Sequence, residues 1–256
     1  MSTVPLLRLE NIHKRFGQVH AVKGVSMDVH KGEVVGLIGN NGAGKSTLIK
    51  TIIGVSPATS GKFYWDGEEV EIRSIKDSRA LGIEAVYQEQ AVFDQLSIVK
   101  NVFMGREIVK KVGPLRILDY RTMREIVAPL LQQMGLSVPS LDHEIRFCSG
   151  GERQGVAIAR AMYFKARMVI LDEPTNALSV EAQKKVLSFI EQLKDSGISV
   201  ILISHNMGQV YSVVDRIVLI SHGMKTLDVD KDDISRQEIE DLLADAAGEG
   251  GRRHVG

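Results

Sequence analysis

Eight consecutive residues combine three glycines with a lysine and a serine. The segment Gly39-Asn40-Asn41-Gly42-Ala43-Gly44-Lys45-Ser46 matches the pattern G-x-x-x-x-G-K-[ST]. Glycines let the backbone point its N–H groups at a phosphate, and a helix that starts here adds a positive dipole. An apolar run precedes the segment and a helical pattern follows it, so the context favours a nucleotide phosphate loop over a chance Gly-rich turn. We expect Lys45 to bridge the β- and γ-phosphates, Ser46 to bind Mg²⁺ and Thr47 to reach the α-phosphate.

Two adjacent carboxylates end a second apolar run, Met168-Val169-Ile170-Leu171-Asp172-Glu173. A buried strand has no reason to end in two acids unless something there uses them, although a solvated strand end is the alternative. Beside a phosphate loop, we expect Asp172 to hold the Mg²⁺ shell. Glu173 would point toward an attacking water as general base.

Three further features do not belong to kinases or GTPases. Ser149-Gly150-Gly151 stands before a helical stretch, Glu152–Phe164, and so forms a second anion-binding turn. One active site does not need two such turns, so the second could serve a partner's nucleotide. Gln88 and His205 each directly follow an apolar run, where a side chain could reach the metal, the water or the phosphate.

Composition excludes several classes of protein. The chain has 256 residues, with 32 basic and 32 acidic side chains and 5% aromatics. It therefore lacks the basic excess and the stacking rings of a nucleic-acid binder. No apolar run approaches 18 residues, so no bilayer span is predicted, and the first residues do not resemble a secretory signal. Cys148 is the single cysteine, which excludes an internal disulfide and fits a reducing compartment.

The elements that must position these residues alternate between strand and helix, which predicts an α/β fold. Predicted strands are Val34–Ile38, Ile83–Tyr87, Met168–Leu171, Val200–Ile203 and Ile217–Ile220. Helices are predicted after Ser179, over Asp119–Met134 with a kink or break at Pro129, and over Ile234–Ala247. Between residues 89 and 148 the strand pattern gives way to helices and loops. We therefore predict one domain with a core of residues 1–88 and 149–230, a helical insertion of residues 89–148, and a flexible Gly- and Arg-rich tail of residues 248–256.

The ordered set GNNGAGKS, Gln88, CSGGE, VILDEP and His205 closely resembles the ATP-binding subunits of ABC transporters. The resemblance covers roughly Leu6–Ile220. It implies a RecA-like phosphate-loop core, an N-terminal antiparallel β region and an inserted α-helical subdomain. Stretches such as ALGIEAVYQ and FCSGGERQGVAIARAM are similar to the branch that imports ribose, xylose or fructose.

That resemblance implies ATPase activity with ATP and Mg²⁺, and a head-to-tail dimer of two copies around two ATP molecules. Phe16 would stack on adenine, and Gln88 would sense the metal and the membrane partner. Ser149, Gly150, Gly151 and Glu152 would meet the opposite nucleotide, and His205 would switch on the γ-phosphate. The implied partners are a second copy, integral membrane permease subunits and, indirectly, a solute-binding protein, but no nucleic acid. The implied location is peripheral, on the cytoplasmic face of a bacterial inner membrane.

Three positions depart from the family's pattern. Cys148 stands where Leu is usual, Glu152 where Gln is common, and Ser179 where Asp is usual. The third departure bears on coupling between the two ATP sites. A related ATPase that acts on DNA or ribosomes would carry coiled-coil insertions, twin domains or basic surfaces, which the sequence lacks. An inactive regulatory subunit would fit Ser179, but Glu173 and His205 favour turnover. The transported solute is not readable from a chain that touches only ATP and its membrane partner.

Overall fold

The fold is described by a computed structural model, which covers residues 4–86, 92–136, 138, 140–204 and 211–252. In chain order its strands are β1 (Leu7–Phe16), β2 (Val19–Val29), β3 (Val34–Ile38), β4 (Ser60–Trp65), β5 (Glu68–Val70), β6 (Ile83–Val86), β7 (Val109–Val112), β8 (Leu115–Leu118), β9 (Met168–Asp172), β10 (Ser199–Ile203), β11 (Arg216–Ser221) and β12 (Met224–Asp230). Its helices are α1 (Lys45–Ile52), α2 (Ile75–Ala80), α3 (Ile98–Phe103), α4 (Tyr120–Gln133), α5 (Gly150–Tyr163), α6 (Val180–Asp195) and α7 (Arg236–Arg252), with short 3-10 turns at Ile145–Phe147 and Lys231–Asp233.

The chain divides into two compact units. The first comprises Met1–Ala85, Arg167–Glu173 and Leu193–Gly256, and the second comprises Val86–Ala166 and Pro174–Gln192. The predicted boundaries stay a prediction, and the compact units differ from them in two segments that were predicted as core: residues 149–166, which contain α5, and Pro174–Gln192 both lie in the second unit. Helix α5 lies in the second unit because it packs against α3 and α4.

The central sheet has the strand order β12-β11-β3-β10-β9-β6. Strands β3, β10, β9 and β11 pair in parallel, and β12 closes one edge in the antiparallel sense. All residues of β3 and β10 are buried, as their unbroken Val- and Ile-rich runs predict for strands covered on both faces. The five predicted strands are confirmed to within a residue or two. Since the carboxyl ends of parallel strands meet at one edge, the polar residues after β3, β10 and β9 share that edge.

The N-terminal strands form a second sheet in the order β2-β1-β4-β5, in which neighbouring strands are antiparallel. Leu7, Leu9 and Ile12 of β1 are fully buried. The expected antiparallel β region is therefore confirmed, and together with the central sheet it gives the predicted α/β class.

The second unit is built on α3, α4 and α5. Phe103 of α3 packs edge-to-face on Tyr163, with ring centroids 4.9 Å apart, and Phe164 follows at 6.2 Å. The segment predicted as helix and loop also contains an antiparallel hairpin, β7 with β8, whose residues are all exposed. Because these strands bury no face, their sequence carries no alternating pattern that would predict them.

Two local predictions need correction. Helix α4 runs continuously through Pro129, so the predicted break is wrong, whereas the alternative of a kink stays a prediction; Met123, Val127 and Leu131 bury one face of the helix and offset the hydrogen bond that proline cannot make. Helix α7 confirms the predicted C-terminal helix but extends to Arg252, five residues into the predicted tail. Among the residues that the structure describes, none of the helices combines the length and apolarity needed to cross a bilayer.

Candidate functional site

The loop between β3 and α1 depends on glycine at two tight places. The φ angle is 150° at Gly39 and 107° at Gly44. A Cβ atom on Gly44 would lie 2.6 Å from the carbonyl oxygen of Ala21 in β2, and one on Gly39 would overlap the carbonyl of Ile220 in β11. Any side chain at these positions would push the loop away from the strands beside it. The loop is therefore wrapped tightly by backbone, as a phosphate cradle requires.

Lys45, the first residue of α1, is 7% exposed. Its ammonium donates hydrogen bonds to the carbonyl oxygens of Gly39 at 2.6 Å and Asn40 at 3.1 Å. Gly44 stands at the N-cap and has no side chain, so the first N–H groups of α1 remain open to an anion. Ser46 is exposed and Thr47 is half-buried on the same turn. These residues together offer a triphosphate its cation, its N–H donors and a hydroxyl.

Contacts that the sequence did not reveal hold this loop in place. Gly223, in the turn after β11, donates its N–H to the Ala43 carbonyl at 2.8 Å, and its own carbonyl accepts from Lys23 N–H at 2.8 Å. Asn40 donates its side-chain amide to the Leu243 carbonyl of α7 at 2.9 Å. Such partners lie far away in the chain, and no local pattern marks them.

The two carboxylates stand where β9 ends. Asp172 pairs with Ile203 of β10 in the parallel register. Glu173 donates its N–H to the Ile203 carbonyl at 3.0 Å and adopts a left-handed backbone with φ of 52°. For a residue other than glycine this conformation costs about 1–2 kcal/mol, and such strain concentrates at functional sites. The chain therefore turns sharply out of the sheet at Glu173, and Asp172 and Glu173 have different surroundings.

Electrostatics link the strand end to the phosphate loop. Burial lowers the pKa of Lys45, and the charges of Glu173 and Asp172 oppose that shift. Burial and the neighbouring Glu173 raise the pKa of Asp172, while Lys45 and Lys50 oppose the increase. Carboxylates held close to a buried ammonium, with a carboxyl pKa above its ordinary value, are ready to receive a further cation. The structure therefore brings together the phosphate loop and the acidic pair that the sequence predicted separately.

Two predicted site residues, Gln88 and His205, lie outside the described residues, and their roles stay predictions. The strands that lead to them end as expected, β6 at Val86 and β10 at Ile203.

Phe16 is the last residue of β1 and is 50% exposed. It pairs with Val19 across a two-residue turn in which Gly17 has φ of 55°. The ammonium of Lys14 lies 5.0 Å from the centre of the Phe16 ring. An exposed ring at a strand end is available for stacking, and Lys14 is a neighbour that the sequence analysis missed, although spacing by two along a strand places both residues on one face.

The Ser-Gly-Gly turn begins α5 in the second unit. Ser149 is the N-cap: its hydroxyl accepts from Glu152 N–H at 3.3 Å, and its own N–H donates to the Glu152 carboxylate at 2.7 Å. This reciprocal pair is a capping box. Arg153 stabilises the turn, because its guanidinium donates hydrogen bonds to the carbonyls of Cys148 at 3.1 Å and Arg146 at 2.7 Å. The turn is therefore rigid, with one acidic side chain at the positive end of the helix.

Two of the three unusual residues have a structural explanation here. Cys148 is buried, and burial raises the pKa of its thiol, so it behaves as a small apolar residue. The Ser179 hydroxyl accepts from Ala182 N–H at 3.3 Å at the start of α6, which is the capping contact that an aspartate would also make.

A buried strand, a glycine-walled loop and a helix, with carboxylates at the end of a parallel strand, define a phosphate-loop nucleoside triphosphatase. Comparison with known proteins agrees: residues 22–176 match the family model described as ABC transporter. The chain is 41% identical over 242 residues to the xylose/arabinose import ATP-binding protein of Sulfolobus acidocaldarius, covering 94% of this chain and 95% of the relative. It is 40% identical over 222 residues to the fructose import ATP-binding protein of Rhizobium meliloti, covering 85% of each.

A solved structure supports the same placement. The ADP conformation of an ATP-binding cassette of an ABC transporter superposes with a TM-score of 0.79 at 28% identity, covering 95% of this chain and 96% of that one. The chain therefore belongs to the ABC transporter family, as an ATP-binding subunit with ATPase activity.

Proposed function

We propose that this chain is the ATP-hydrolysing subunit of a sugar importer, and that it works as a head-to-tail pair of copies beneath a separate membrane permease. The observation that carries the hydrolytic part is the position of Asp172 and Glu173 at the end of β9, at the sheet edge where β3 leads into the phosphate loop and where their charges oppose the effect of burial on Lys45. A binding module would need the lysine and the loop, but it would not need two carboxylates beside them.

The residues divide the work between binding and chemistry. Lys45 exchanges its bonds to the Gly39 and Asn40 carbonyls for β- and γ-phosphate oxygens, so the nucleotide replaces contacts already present in the loop. The N–H groups of residues 42–47 and the dipole of α1 hold the remaining phosphate charge.

The fit to Mg²⁺ rests on the donor set. Ser46 offers an exposed hydroxyl, Asp172 a carboxylate that a cation would favour, and Gln88 an amide oxygen. Mg²⁺ in nucleotide sites takes only a few protein ligands, because phosphate oxygens and water supply the rest of its coordination shell. When bound, the ion neutralises charge that develops on the phosphates.

Glu173 is proposed as the residue that orients the attacking water and accepts its proton. The left-handed backbone at Glu173 and its N–H bond to Ile203 fix the residue at the sheet edge. His205, two residues beyond the end of β10, is proposed to contact the γ-phosphate. Because Asp172 and Glu173 are adjacent on a chain that bends sharply, one can face the metal while the other faces the water.

The second unit is proposed to complete the partner copy's site. Ser149, Gly150 and Gly151 present a hydroxyl and backbone N–H groups at the start of a 14-residue helix. A γ-phosphate of the opposite copy would accept those donors, and Glu152 would tune the charge beside it. Each ATP would then lie between the phosphate loop of one copy and the Ser-Gly-Gly turn of the other. Closure of the two copies around both ATP molecules would supply the alternating states that drive transport.

The sugar assignment rests on the relatives, whose names record import of xylose, arabinose and fructose. We propose that the cargo is a small carbohydrate, presented by a solute-binding protein to an integral membrane permease. In liposomes that contain the permease, a pentose or hexose bound to that protein should stimulate ATP hydrolysis by this chain. An amino acid presented in the same way should not, and stimulation by it would reject the sugar assignment.

Size-exclusion chromatography with light scattering on Glu173→Gln tests the paired state. With MgATP, the mass should rise from 28.2 kDa to twice that value. The double variant Glu173→Gln, Lys45→Ala is the control and should stay monomeric. If Glu173→Gln binds ATP and stays monomeric even with its permease, the head-to-tail pair is rejected.

A further inference from the structure

The ring of Phe16 has a cation against one face. The ammonium of Lys14 lies 5.0 Å from the ring centre, within the range of a cation–π contact. Lys14 and Phe16 are two positions apart on β1 and so lie on the same side of the strand. Arg15 lies between them, on the other side. Phe16 as a whole is 50% exposed, so solvent reaches it beside this cation.

Lys14 is itself held in place. Its ammonium donates a hydrogen bond of 2.7 Å to the Pro57 carbonyl, and its side chain is partly buried. A lysine that has a fixed acceptor loses the freedom that normally makes surface lysines weak partners. The Lys14 ammonium is therefore held in a fixed position over the Phe16 ring.

The anchor of Lys14 belongs to the segment that follows the phosphate-loop helix. Ser56 N–H donates to the Lys50 carbonyl in the last turn of α1 at 3.0 Å, one residue before Pro57. Two further bonds tie this segment to β1: Thr59 N–H to the His13 carbonyl at 2.8 Å, and Arg15 N–H to the Thr59 hydroxyl at 3.0 Å. The end of β1 is thus fastened to the helix that begins at Lys45.

We propose that Lys14 is a positioning residue for the adenine base: it fixes the Phe16 ring and fastens that ring to the segment after α1. A cation on one face draws electron density from the other, which favours stacking with an electron-rich purine. The inference rests on the proposed role of Phe16 as the adenine platform. It adds a residue to the recognition of the base rather than of the phosphates.

A binding experiment can distinguish a role of Lys14 at the adenine base from a role at the phosphates. Titration calorimetry of the full chain with MgADP reports both parts of the ligand, and magnesium pyrophosphate reports the phosphates alone. Lys14→Met should weaken MgADP about three- to tenfold, as loss of one ordered cation–π contact predicts, and should leave pyrophosphate affinity unchanged. Lys14→Arg keeps a cation and a donor and should restore MgADP binding. Arg15→Met, which removes a neighbouring charge from the other side of β1, is the matched control and should bind both ligands as wild type does.

A double-mutant cycle shows whether the effect passes through the ring. In a Phe16→Ala background, Lys14→Met should cause no further loss of MgADP affinity. Equal weakening of MgADP and pyrophosphate by Lys14→Met would mean that the lysine acts on phosphate charge, and this result would overturn the proposal. So would an unchanged MgADP affinity, failure of Lys14→Arg to rescue, or a full effect of Lys14→Met without the ring. If Phe16→Ala alone leaves MgADP affinity unchanged, the adenine platform itself is wrong, whereas loss of pyrophosphate binding in Lys45→Ala tests the phosphate site separately.

Discussion

The phosphate loop in the first unit and the Ser-Gly-Gly turn in the second both present the start of a helix, but they are built in opposite ways. At the phosphate loop, the cation is buried and satisfied by the carbonyls of Gly39 and Asn40, and no side chain caps the helix. At the Ser-Gly-Gly turn, the side chains of Ser149 and Glu152 form a capping box that satisfies the N–H groups of both residues, and the charge nearest the helix start is negative. One site is prepared for an anion, and the other is stable without one.

This difference assigns separate tasks to the two helix starts. An uncapped helix start with a buried lysine gains charge-assisted hydrogen bonds when phosphate binds. This site therefore supplies the affinity for the nucleotide. A capped start with a carboxylate gains little from phosphate alone, so it suits a contact that forms late and breaks again.

Glu173→Gln should abolish turnover while preserving binding. Removing a general base costs about 10²- to 10⁴-fold in rate, whereas the amide keeps the shape and the contacts of the loop. The measurement is phosphate release per protein at saturating MgATP, with ATP affinity from calorimetry as the control. Unchanged hydrolysis would remove Glu173 from its assigned role and leave Asp172 or His205 as the candidate base.

Lys45→Ala should weaken MgATP binding about 100-fold, since it removes charge-assisted hydrogen bonds to two phosphates. The same substitution takes the lysine donor away from the buried Gly39 carbonyl, so the nucleotide-free protein should also lose about 1–3 kcal/mol of folding stability. The matched control is Lys50→Ala on the last turn of the same helix, which should bind ATP as wild type does. A comparable loss of affinity in both variants would show that net charge, not the loop lysine, supplies the affinity.

Ser149→Ala should lower turnover about tenfold without changing ATP affinity of a single copy. The loss of a helix cap costs about 1 kcal/mol, so its effect on folding must be separated from its effect on function. Ser74→Ala provides that comparison, because Ser74 caps α2 with a similar bond to Asp77 N–H at 3.4 Å and has no assigned role. In the Glu173→Gln background, Ser149→Ala should abolish the ATP-dependent dimer and Ser74→Ala should not. A dimer that survives Ser149→Ala would break the proposed division of tasks.

Asp172→Asn should stabilise the nucleotide-free protein at neutral pH. The pKa of Asp172 is raised by burial and by Glu173, so the folded state disfavours its charge. Stability from that shift is fully present below the unfolded pKa and is lost as pH rises through the folded pKa. At pH 7 the variant should therefore melt about 2 °C higher, and below about pH 4 the difference should vanish.

Asp66→Asn provides the opposite sign for comparison. Hydrogen bonds from Lys31 and Arg167 lower the pKa of Asp66, so its contribution is present above the unfolded pKa and is lost as pH falls through the folded pKa. This variant should melt lower than wild type at pH 7. If both variants shift in the same direction, the burial of Asp172 is not what sets its pKa.

The contrast between the two sites was only half readable from the sequence. The buried strands and the phosphate loop were predicted closely because unbroken Val and Ile runs and a fixed glycine spacing are local signals. The capping box at Ser149 is also a local signal, since Ser and Glu stand three residues apart, and it gives Glu152 a structural role beside the predicted one at the opposite nucleotide.

What the sequence could not supply depends on distant partners or on tertiary packing. Gly223 and Leu243 meet the phosphate loop only through the fold. The hairpin of β7 and β8 was missed because all its residues are exposed, so neither face selects apolar residues. The break predicted at Pro129 failed for the converse reason: packing of the buried face of α4 outweighs a local preference.

Glu152→Gln gives the smallest effect and the finest test of the contrast. Glutamine can keep the capping box, because its side-chain oxygen still accepts from Ser149 N–H. It removes the negative charge at the start of α5, which should lower folding stability by about 0.3–1 kcal/mol and reduce repulsion of an incoming phosphate. In the Glu173→Gln background we expect ATP-dependent dimerisation to strengthen about two- to fivefold, with a smaller gain at high salt, where the charge is screened. Glu181→Gln removes an acidic residue from the first turn of α6 and is the matched control, which should leave the dimer unchanged. Weaker dimerisation in Glu152→Gln would mean that the Glu152 carboxylate itself stabilises the site of the opposite nucleotide. The Ser-Gly-Gly turn would then supply affinity as the phosphate loop does.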